Sequence, residues 1–264
     1  MVETYSNKNT FAKLLDVRSK LVVKKIFSNI SKMKTLYIIK YNKKLQNILN
    51  KGIDDYMEES LKIEIEIIPK EDFYVKLRNK FIDTHDKKYK SYFHIYFNNS
   101  KEETKRNYID YNEKVKYIKV IIERKVKSLK SLFSYCFIVE KIKFIKYNRK
   151  DITDMSNMFY RCRNLKELDV SKLNTDNVIN MSHMFFECSS IKELDLSNFN
   201  TDKVTNMSNM FSECSLLRVL NLSNFNTDNN VYINDIFQGC PNLKNLHCSD
   251  TCIIAHYLKN INFY

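Results

Sequence analysis

Residues 180–205 read NMSHMFFECSSIKELDLSNFNTDKVT, and residues 206–231 read NMSNMFSECSLLRVLNLSNFNTDNNV. The two segments share their Met-Ser, Met-Phe, Cys and Asn-Thr-Asp positions without a gap. Repetition at a fixed period is the sequence signature of an architecture built from stacked units. The 26-residue period therefore decides the fold that we expect for this half of the chain.

The same period extends beyond these two segments. A step of 26 residues reaches equivalent residues in four copies, and a more divergent fifth copy precedes them, so we expect five copies from about Val126 onward. The columns of equivalent residues include Phe133, Phe159, Phe185, Phe211 and Phe237; Cys136, Cys162, Cys188, Cys214 and Cys240; and Ile142, Leu168, Leu194, Leu220 and Leu246.

Each copy contains two periodicities. Apolar residues within 181–188 are spaced i, i+3, i+4 and i+7, which predicts a short helix with Asn180 as its N-cap. Residues 191–196 then alternate, which predicts a short strand, and the polar segment 197–202 is typical of a turn. Stacking such units predicts a parallel sheet on one side and a layer of short helices on the other. Residues 252–264 have helical spacing and are predicted to cover one end.

The recurring pattern Met-Ser-x-Met-Phe-x-x-Cys-x-x-Leu-x-x-Leu-Asp-Leu-Ser-x-Phe-Asn-Thr resembles the BspA-like leucine-rich repeat family over residues 126–249. Members of that family are repeat proteins of bacteria and unicellular eukaryotes, often on cell surfaces. The resemblance implies a repeat protein that binds other proteins and has no catalytic residues. The predicted fold class is α/β: a short leucine-rich-repeat-type solenoid over residues 126–264, with a parallel sheet, short helices and a C-terminal cap.

The first half of the chain has a different organisation. Residues 1–60 are predicted to be helical, and residues 61–125 to form a small α+β region with strands at 61–68, 92–97 and 117–122 and a helix at 71–82. The stretch KLVVKKIFSNI (Lys20–Ile30), followed by Leu36 and by NKKL (Asn42–Leu45), resembles an F-box, which would cover residues 18–49. That resemblance implies a substrate adaptor whose helices dock to the linker subunit of a ubiquitin ligase. The alternative is that these helices are a structural cap for the repeats.

Composition limits the remaining possibilities. The net charge is +13, and residues 1–125 hold most of it, with 28 basic against 17 acidic residues. That basic half suits phosphate contacts, but it contains no recognisable nucleic-acid-binding motif, so nucleic acid is a weaker candidate than protein as the partner. The two glycines, Gly52 and Gly239, lie too far apart for a glycine-rich phosphate loop. No secretory or membrane-spanning apolar stretch is visible, which predicts a cytoplasmic, reducing location.

Three residue patterns imitate chemical sites. The cysteine column suggests a metal or redox array, but each cysteine ends an apolar stripe, which predicts core packing. Cys248, Cys252 and His256, with His247 nearby, imitate a zinc site but lack the paired clusters of structural zinc. The periodic Asp and Ser residues recur with the repeat and lack a distinct catalytic partner. We therefore expect no metal, no cofactor and no enzymatic activity.

The outward positions of the predicted strands are the candidate binding surface for a protein partner. Residues such as Leu168, Leu194 and Leu220 are predicted to face inward, and their neighbours to face solvent. The acidic middle of that surface predicts a partner with basic groups. The candidate residues are Lys141, Lys143, Glu167, Asp169, Ser171, Glu193, Asp195, Ser197, Asn221, Ser223 and His247.

Overall fold

A computed structural model describes residues 20–28, 32–71, 79–84, 89–110, 112–228 and 231–261. The chain divides into two compact units, Met1–Leu61 and Lys62–Tyr264. Each unit has its own hydrophobic core.

The first unit contains four short helices. Its core consists of Val23, Phe27, Ile39 and Leu45, all almost completely buried. Asn42 caps the third helix, since its side chain accepts a hydrogen bond from the Leu45 amide at 3.1 Å. The predicted helical residues before residue 20 and at 29–31 lie outside the described residues. The helices are α1 (Lys20–Ser28), α2 (Lys32–Ile39), α3 (Lys43–Leu49) and α4 (Ile53–Ser60).

The second unit contains ten strands, one 3₁₀ turn (Lys90–Tyr92) and one helix in the part of the chain that the structure describes. The three long strands predicted between residues 61 and 122 are confirmed. The helix predicted at 71–82 falls largely on residues 72–78, outside the described residues, and its end is a strand instead. The elements are β1 (Ile63–Pro69), β2 (Asn79–Lys80), β3 (Phe93–Phe97), β4 (Tyr108–Ile109), β5 (Ile118–Ile122), β6 (Val139–Lys146), β7 (Glu167–Asp169), β8 (Glu193–Asp195), β9 (Val219–Asn221), β10 (Asn245–His247) and α5 (Thr251–Ile261).

The main sheet is mostly antiparallel. Its five strands are ordered β3-β5-β1-β6-β7, and only β6 and β7 are parallel. β1 alternates fully buried isoleucines with half-buried Glu64, Glu66 and Ile68, so one face packs on the core and the other faces outward. The strands β8, β9 and β10 form a separate parallel sheet, and β2 pairs with β4.

The apolar stripes of the repeats form chains of turns and not helices. His183 and Glu187 have left-handed backbones, with φ of 55° and 56°, and equivalent residues of the other copies are also left-handed. Left-handed residues at every fourth position prevent a continuous right-handed helix. Alternate amides form hydrogen bonds to the next copy instead. The Phe185 amide donates to the Met210 carbonyl of the next copy at 2.9 Å, whereas the Met184 amide donates to the Met181 carbonyl of its own copy at 3.2 Å.

The predicted fold class is therefore wrong. The chain is a mixed α/β protein whose main sheet is mostly antiparallel, and the structure describes no helix between residues 126 and 250 outside the gap at 229–230. The predicted solenoid has one continuous parallel sheet and a layer of short helices. Here the first repeat strand, β6, pairs with β1, and the strands of the later copies are divided between two sheets.

The 26-residue period nevertheless places equivalent residues in contact. Phe185 stacks between Phe159 and Phe211, with ring centroids 5.3 and 5.6 Å apart. The Cys188 thiol donates to the Phe159 carbonyl at 3.1 Å, and Cys162, Cys214 and Cys240 make the same contact in their copies. These contacts explain why Met, Phe and Cys recur together: the groups fill one shared core and satisfy buried backbone carbonyls.

The last copy is covered by α5, as its helical spacing predicts. Asp250 caps this helix by accepting from the Ile253 amide at 2.9 Å, and it also accepts from the Thr227 amide at 2.8 Å. Tyr257 packs edge-on against Phe237, the last ring of the phenylalanine column. The side chains of this helix thus make the contacts with the last copy that a further copy would otherwise make.

Candidate functional site

The predicted binding residues lie together on the outward face of the repeat strands. We call this surface the strand face; it comprises the outward residues of β6–β10 and the serines that follow β7, β8 and β9. The parallel register places Lys141 beside Glu167 and Lys143 beside Asp169, and it places Glu193 beside Val219 and Asp195 beside Asn221. Backbone pairing therefore converts the sequence period into rows of side chains that cross the strands.

The two lysines at one end of the strand face form ion pairs with its acidic residues. Lys141 Nζ lies 2.7 Å from Glu167 Oε1, and Lys143 Nζ lies 3.2 Å from Asp169 Oδ2. Both pairs are solvent-exposed, and exposed pairs contribute little to stability. Glu167 and Asp169 are therefore largely neutralised locally, which leaves the next copy as the acidic part of the surface.

Asp169, Asp195 and Asn221 also have a structural role. Each accepts a hydrogen bond from the backbone amide of the serine two residues later, at 3.1, 3.0 and 3.2 Å, respectively. Hydrogen bonds from the Ser197 amide and hydroxyl lower the pKa of Asp195, and those from Ser171 lower the pKa of Asp169. Both carboxylates therefore remain ionised while one of their oxygens closes a turn.

Glu193 is the acidic residue of the strand face with the fewest internal contacts. It is exposed, and among the described residues it has no ion pair. In the same row, the later copies carry Val219 and Asn245. The combination of Glu193 with Asp195 gives this part of the strand face two carboxylates that can contact a ligand.

A shallow depression of ≈ 660 Å³ lies over the first copies of the strand face. It contains five of the candidate residues, Lys141, Lys143, Glu167, Asp169 and Glu193. No backbone hydrogen bond joins β7 to β8 in the described part of the chain, and the depression spans the place where the two sheets separate. It has an open, charged lining, which suits an extended or protruding polypeptide better than a small apolar ligand.

Four further residues of the depression were not predicted. Glu66 and Ile68 come from β1, because this strand pairs with β6 in the sheet. Glu66 accepts a hydrogen bond from the Tyr117 hydroxyl at 2.8 Å; burial and the Glu66 carboxylate raise the pKa of Tyr117 to about 12. The other two, Lys166 and Lys192, belong to a basic row that the period itself could have indicated: Lys166, Lys192, Arg218 and Lys244 are 26 residues apart, and all are exposed.

The far end of the strand face is polar and weakly charged. Asn221 is half-buried, and Ser223 and His247 are exposed. The His247 carbonyl accepts a hydrogen bond from the Leu222 amide at 2.7 Å, so its backbone joins the last copy to the copy before it. These residues lie outside the depression that contains the other candidates.

The cysteines do not form a reactive cluster. The five members of the column are buried, as their position in the apolar stripe predicts. Burial raises the pKa of Cys162 to about 12 and raises those of Cys136, Cys188 and Cys214 as well. Cys248 is half-buried and Cys252 is exposed; among the described residues no three His, Cys, Asp or Glu side chains are arranged to hold a metal ion.

The fold and the site define a mixed α/β protein with stacked 26-residue repeats and a charged strand face. A family model described as "Mycoplasma protein of unknown function, DUF285" matches residues 127–249, just under half of the chain and nearly all of its periodic segment. No curated protein and no solved structure matches the chain. In the described parts of the chain, the helices are too short or too polar for any of them to cross a bilayer.

Proposed function

We propose that this chain is a non-catalytic protein-interaction protein that binds a protein partner through the strand face. The observation that supports this proposal is the register of the strands, which orders charged side chains into rows across a shallow, open depression. Complementary charge patterns of this kind select partners and speed their association.

The proposed partner has a basic segment that contacts Glu193 and Asp195. The neighbouring Glu167 and Asp169 are already paired with lysines, so Glu193 and Asp195 are the carboxylates whose charge is available. The basic row at the border of the strand face includes Lys192 and Arg218, and it favours a partner with an acidic residue on that side. A surface of interleaved charges suits a protein with its own mixed pattern better than the uniform negative charge of nucleic acid.

The test uses the full chain and a double variant, Glu193→Gln with Asp195→Asn. These substitutions remove two charges and preserve the local structure, because Asn221 closes the equivalent turn in the next copy. The control is Asp228→Asn with Asp235→Asn, which makes the same charge change at exposed positions away from the strand face.

A partner recovered with the full chain is purified, and its affinity for each variant is measured by titration calorimetry at two salt concentrations. We expect about tenfold weaker binding for the strand-face variant, a smaller salt dependence, and no change for the control. Equal affinity of both variants would show that the partner binds elsewhere.

A second candidate function is that of an F-box-like substrate adaptor. It is favoured by the separate core of the four helices, Val23, Phe27, Ile39 and Leu45, which is typical of an independent docking module. Its test is direct binding of the full chain to a purified ubiquitin-ligase linker subunit, with Tyr37→Ser as a surface variant because Tyr37 is 62% exposed. Absence of binding to that subunit would refute the adaptor function.

A further inference from the structure

A second surface lies on the turns of the first three copies. It consists of four aromatic side chains, Tyr135, Phe137, Tyr160 and Phe186, and two arginines, Arg161 and Arg163. We call these six residues the aromatic–arginine patch. Tyr135 and Phe137 are 43% and 42% exposed, so a large part of their aromatic surface contacts water.

The side chains of the patch are held in place by one another. Tyr160 stacks on Phe186 with a centroid distance of 4.9 Å, and Tyr135 meets Tyr160 edge-on at 5.4 Å. The Arg161 guanidinium lies 5.6 Å from the Tyr135 ring centre, and that of Arg163 lies 5.7 Å from the Phe137 ring centre. Such a surface is preorganised, which lowers the entropy lost when a partner binds.

The other copies show that the fold does not require these aromatic residues. The position of Tyr160 and Phe186 is serine in two other copies, Ser134 and Ser212, and the position of Phe137 is Ser189 and Ser215 in later copies. The backbone hydrogen bonds between copies are the same at the serine positions: Glu187 donates to the Ser212 carbonyl at 2.8 Å, as Arg161 does to Phe186 at 2.7 Å. Phe137 is exposed, and Tyr160 and Phe186 are half-buried, so rings at positions where serine is sufficient leave aromatic surface in contact with water. Such surface indicates a role in binding.

The charges of the patch determine what it fits. Arg161 and Arg163 both contact the carboxylate of Glu187, with Arg161 Nε 2.6 Å from Glu187 Oε2. Two guanidinium groups therefore share one carboxylate in the described part of the chain, and the side chains of both arginines are at least one-third exposed. A further carboxylate would complete the pairing of the arginines.

We propose that the aromatic–arginine patch is a protein-docking site for a segment in which an acidic side chain lies next to an apolar or aromatic one. Tyrosine and arginine dominate binding energy at protein interfaces. Single-stranded nucleic acid is the less suitable occupant, because bases need free ring faces. Here Tyr160 and Phe186 each cover one face of the other, and the arginines lie over Tyr135, Tyr160 and Phe137. This site is separate from the strand face and does not depend on it.

The test uses a phage-displayed library of random twelve-residue peptides selected on the full chain. Enriched peptides are then measured against the double variant Phe137→Ser with Tyr160→Ser, which copies the serines of the other repeats and keeps the fold. Leu216→Ser is the control, because Leu216 is an apolar residue of the fourth copy, outside the patch, with a similar exposure of 40%. A single-stranded oligothymidylate of comparable length is measured in parallel.

We expect the selected peptides to combine Asp or Glu with an aromatic or large apolar residue and to bind the patch variant at least tenfold more weakly than the control. Thermal unfolding of both variants checks that the fold is retained. Peptides without an acidic residue, equal binding to the patch variant and the control, or no enrichment would each overturn the proposal. Variant-sensitive binding of the oligonucleotide in place of peptides would assign the patch to nucleic acid.

Discussion

Replacing Thr201 by Val tests whether the buried threonines join one copy to the next. Thr201 is fully buried; its hydroxyl donates to the Asn226 carbonyl at 3.0 Å and accepts from the Asn226 amide at 2.8 Å. Thr175 makes the same two bonds with Asn200. Valine has nearly the same shape, so the substitution removes the two hydrogen bonds without leaving a cavity.

The expected loss of unfolding free energy follows from the Asn226 amide and carbonyl, which the substitution leaves without a hydrogen-bond partner. An unsatisfied buried donor or acceptor costs about 1–3 kcal/mol, so two of them, partly relaxed, give about 2–4 kcal/mol for Thr201→Val. The assay is urea-induced unfolding followed by circular dichroism. Thr205→Val is the matched control, because Thr205 is exposed and makes a single longer bond of 3.3 Å to the Ile179 carbonyl. A Thr201→Val protein as stable as the control would refute the proposed role of the threonines.

Two further predictions concern buried polar chemistry. Burial raises the pKa of Cys188, whereas Cys252 is exposed, so we expect iodoacetamide to label Cys252 in the folded protein and Cys188 only after urea unfolds it. Mass spectrometry identifies the labelled residues. Labelling of Cys188 in the folded protein would contradict its burial. Burial alone raises the pKa of Asp151, but hydrogen bonds from Arg149 and Lys127 lower it well below its ordinary value, so its stabilisation is present above the unfolded pKa and is lost as the pH falls. Asp151→Asn should cost about 1–2 kcal/mol at neutral pH, because it leaves buried Arg149 without its carboxylate while solvent screens Asp151, whose side chain is 40% exposed. The difference from the unmodified protein should shrink below about pH 4, and a difference independent of pH would argue against the ion pair.

The sequence predicted the strands and the columns of the repeats because both depend on local spacing. Alternation along Ile63, Ile65 and Ile67 is sufficient to predict β1, and a constant period places Glu193 next to Val219. The neighbours of β1 were not predictable, since alternation shows that a strand exists and not which strand it pairs with. β5 comes directly before β6 along the chain, but β1 lies between them in the sheet.

The helix prediction failed for a specific reason. An apolar spacing of i, i+3, i+4 and i+7 also fits a chain of turns with a left-handed residue at every fourth position. The left-handed positions hold residues as different as Asn157, Glu187 and Gly239, so no single residue type marks them in every copy. Tertiary hydrogen bonds to the next copy therefore decide the conformation, and a local pattern cannot reveal them.

The sequence predicted which candidate residues share a row, but it did not predict which of them form ion pairs. The period was sufficient to place Glu167, Asp169 and Glu193 on one surface. It could not show that Lys141 and Lys143 neutralise two of these carboxylates, because the ion pairs depend on the register of β6 with β7. The F-box and BspA-like resemblances remain predictions.

Scalar couplings across backbone hydrogen bonds, measured by NMR, test the register of the copies most directly. That register produces both proposed surfaces. We predict couplings from the Phe185 amide nitrogen to the Met210 carbonyl carbon, and from the Arg218 amide nitrogen to the Lys192 carbonyl carbon. Couplings from Phe185 to the carbonyl four residues earlier would indicate an α-helix and would contradict the register on which both surfaces depend.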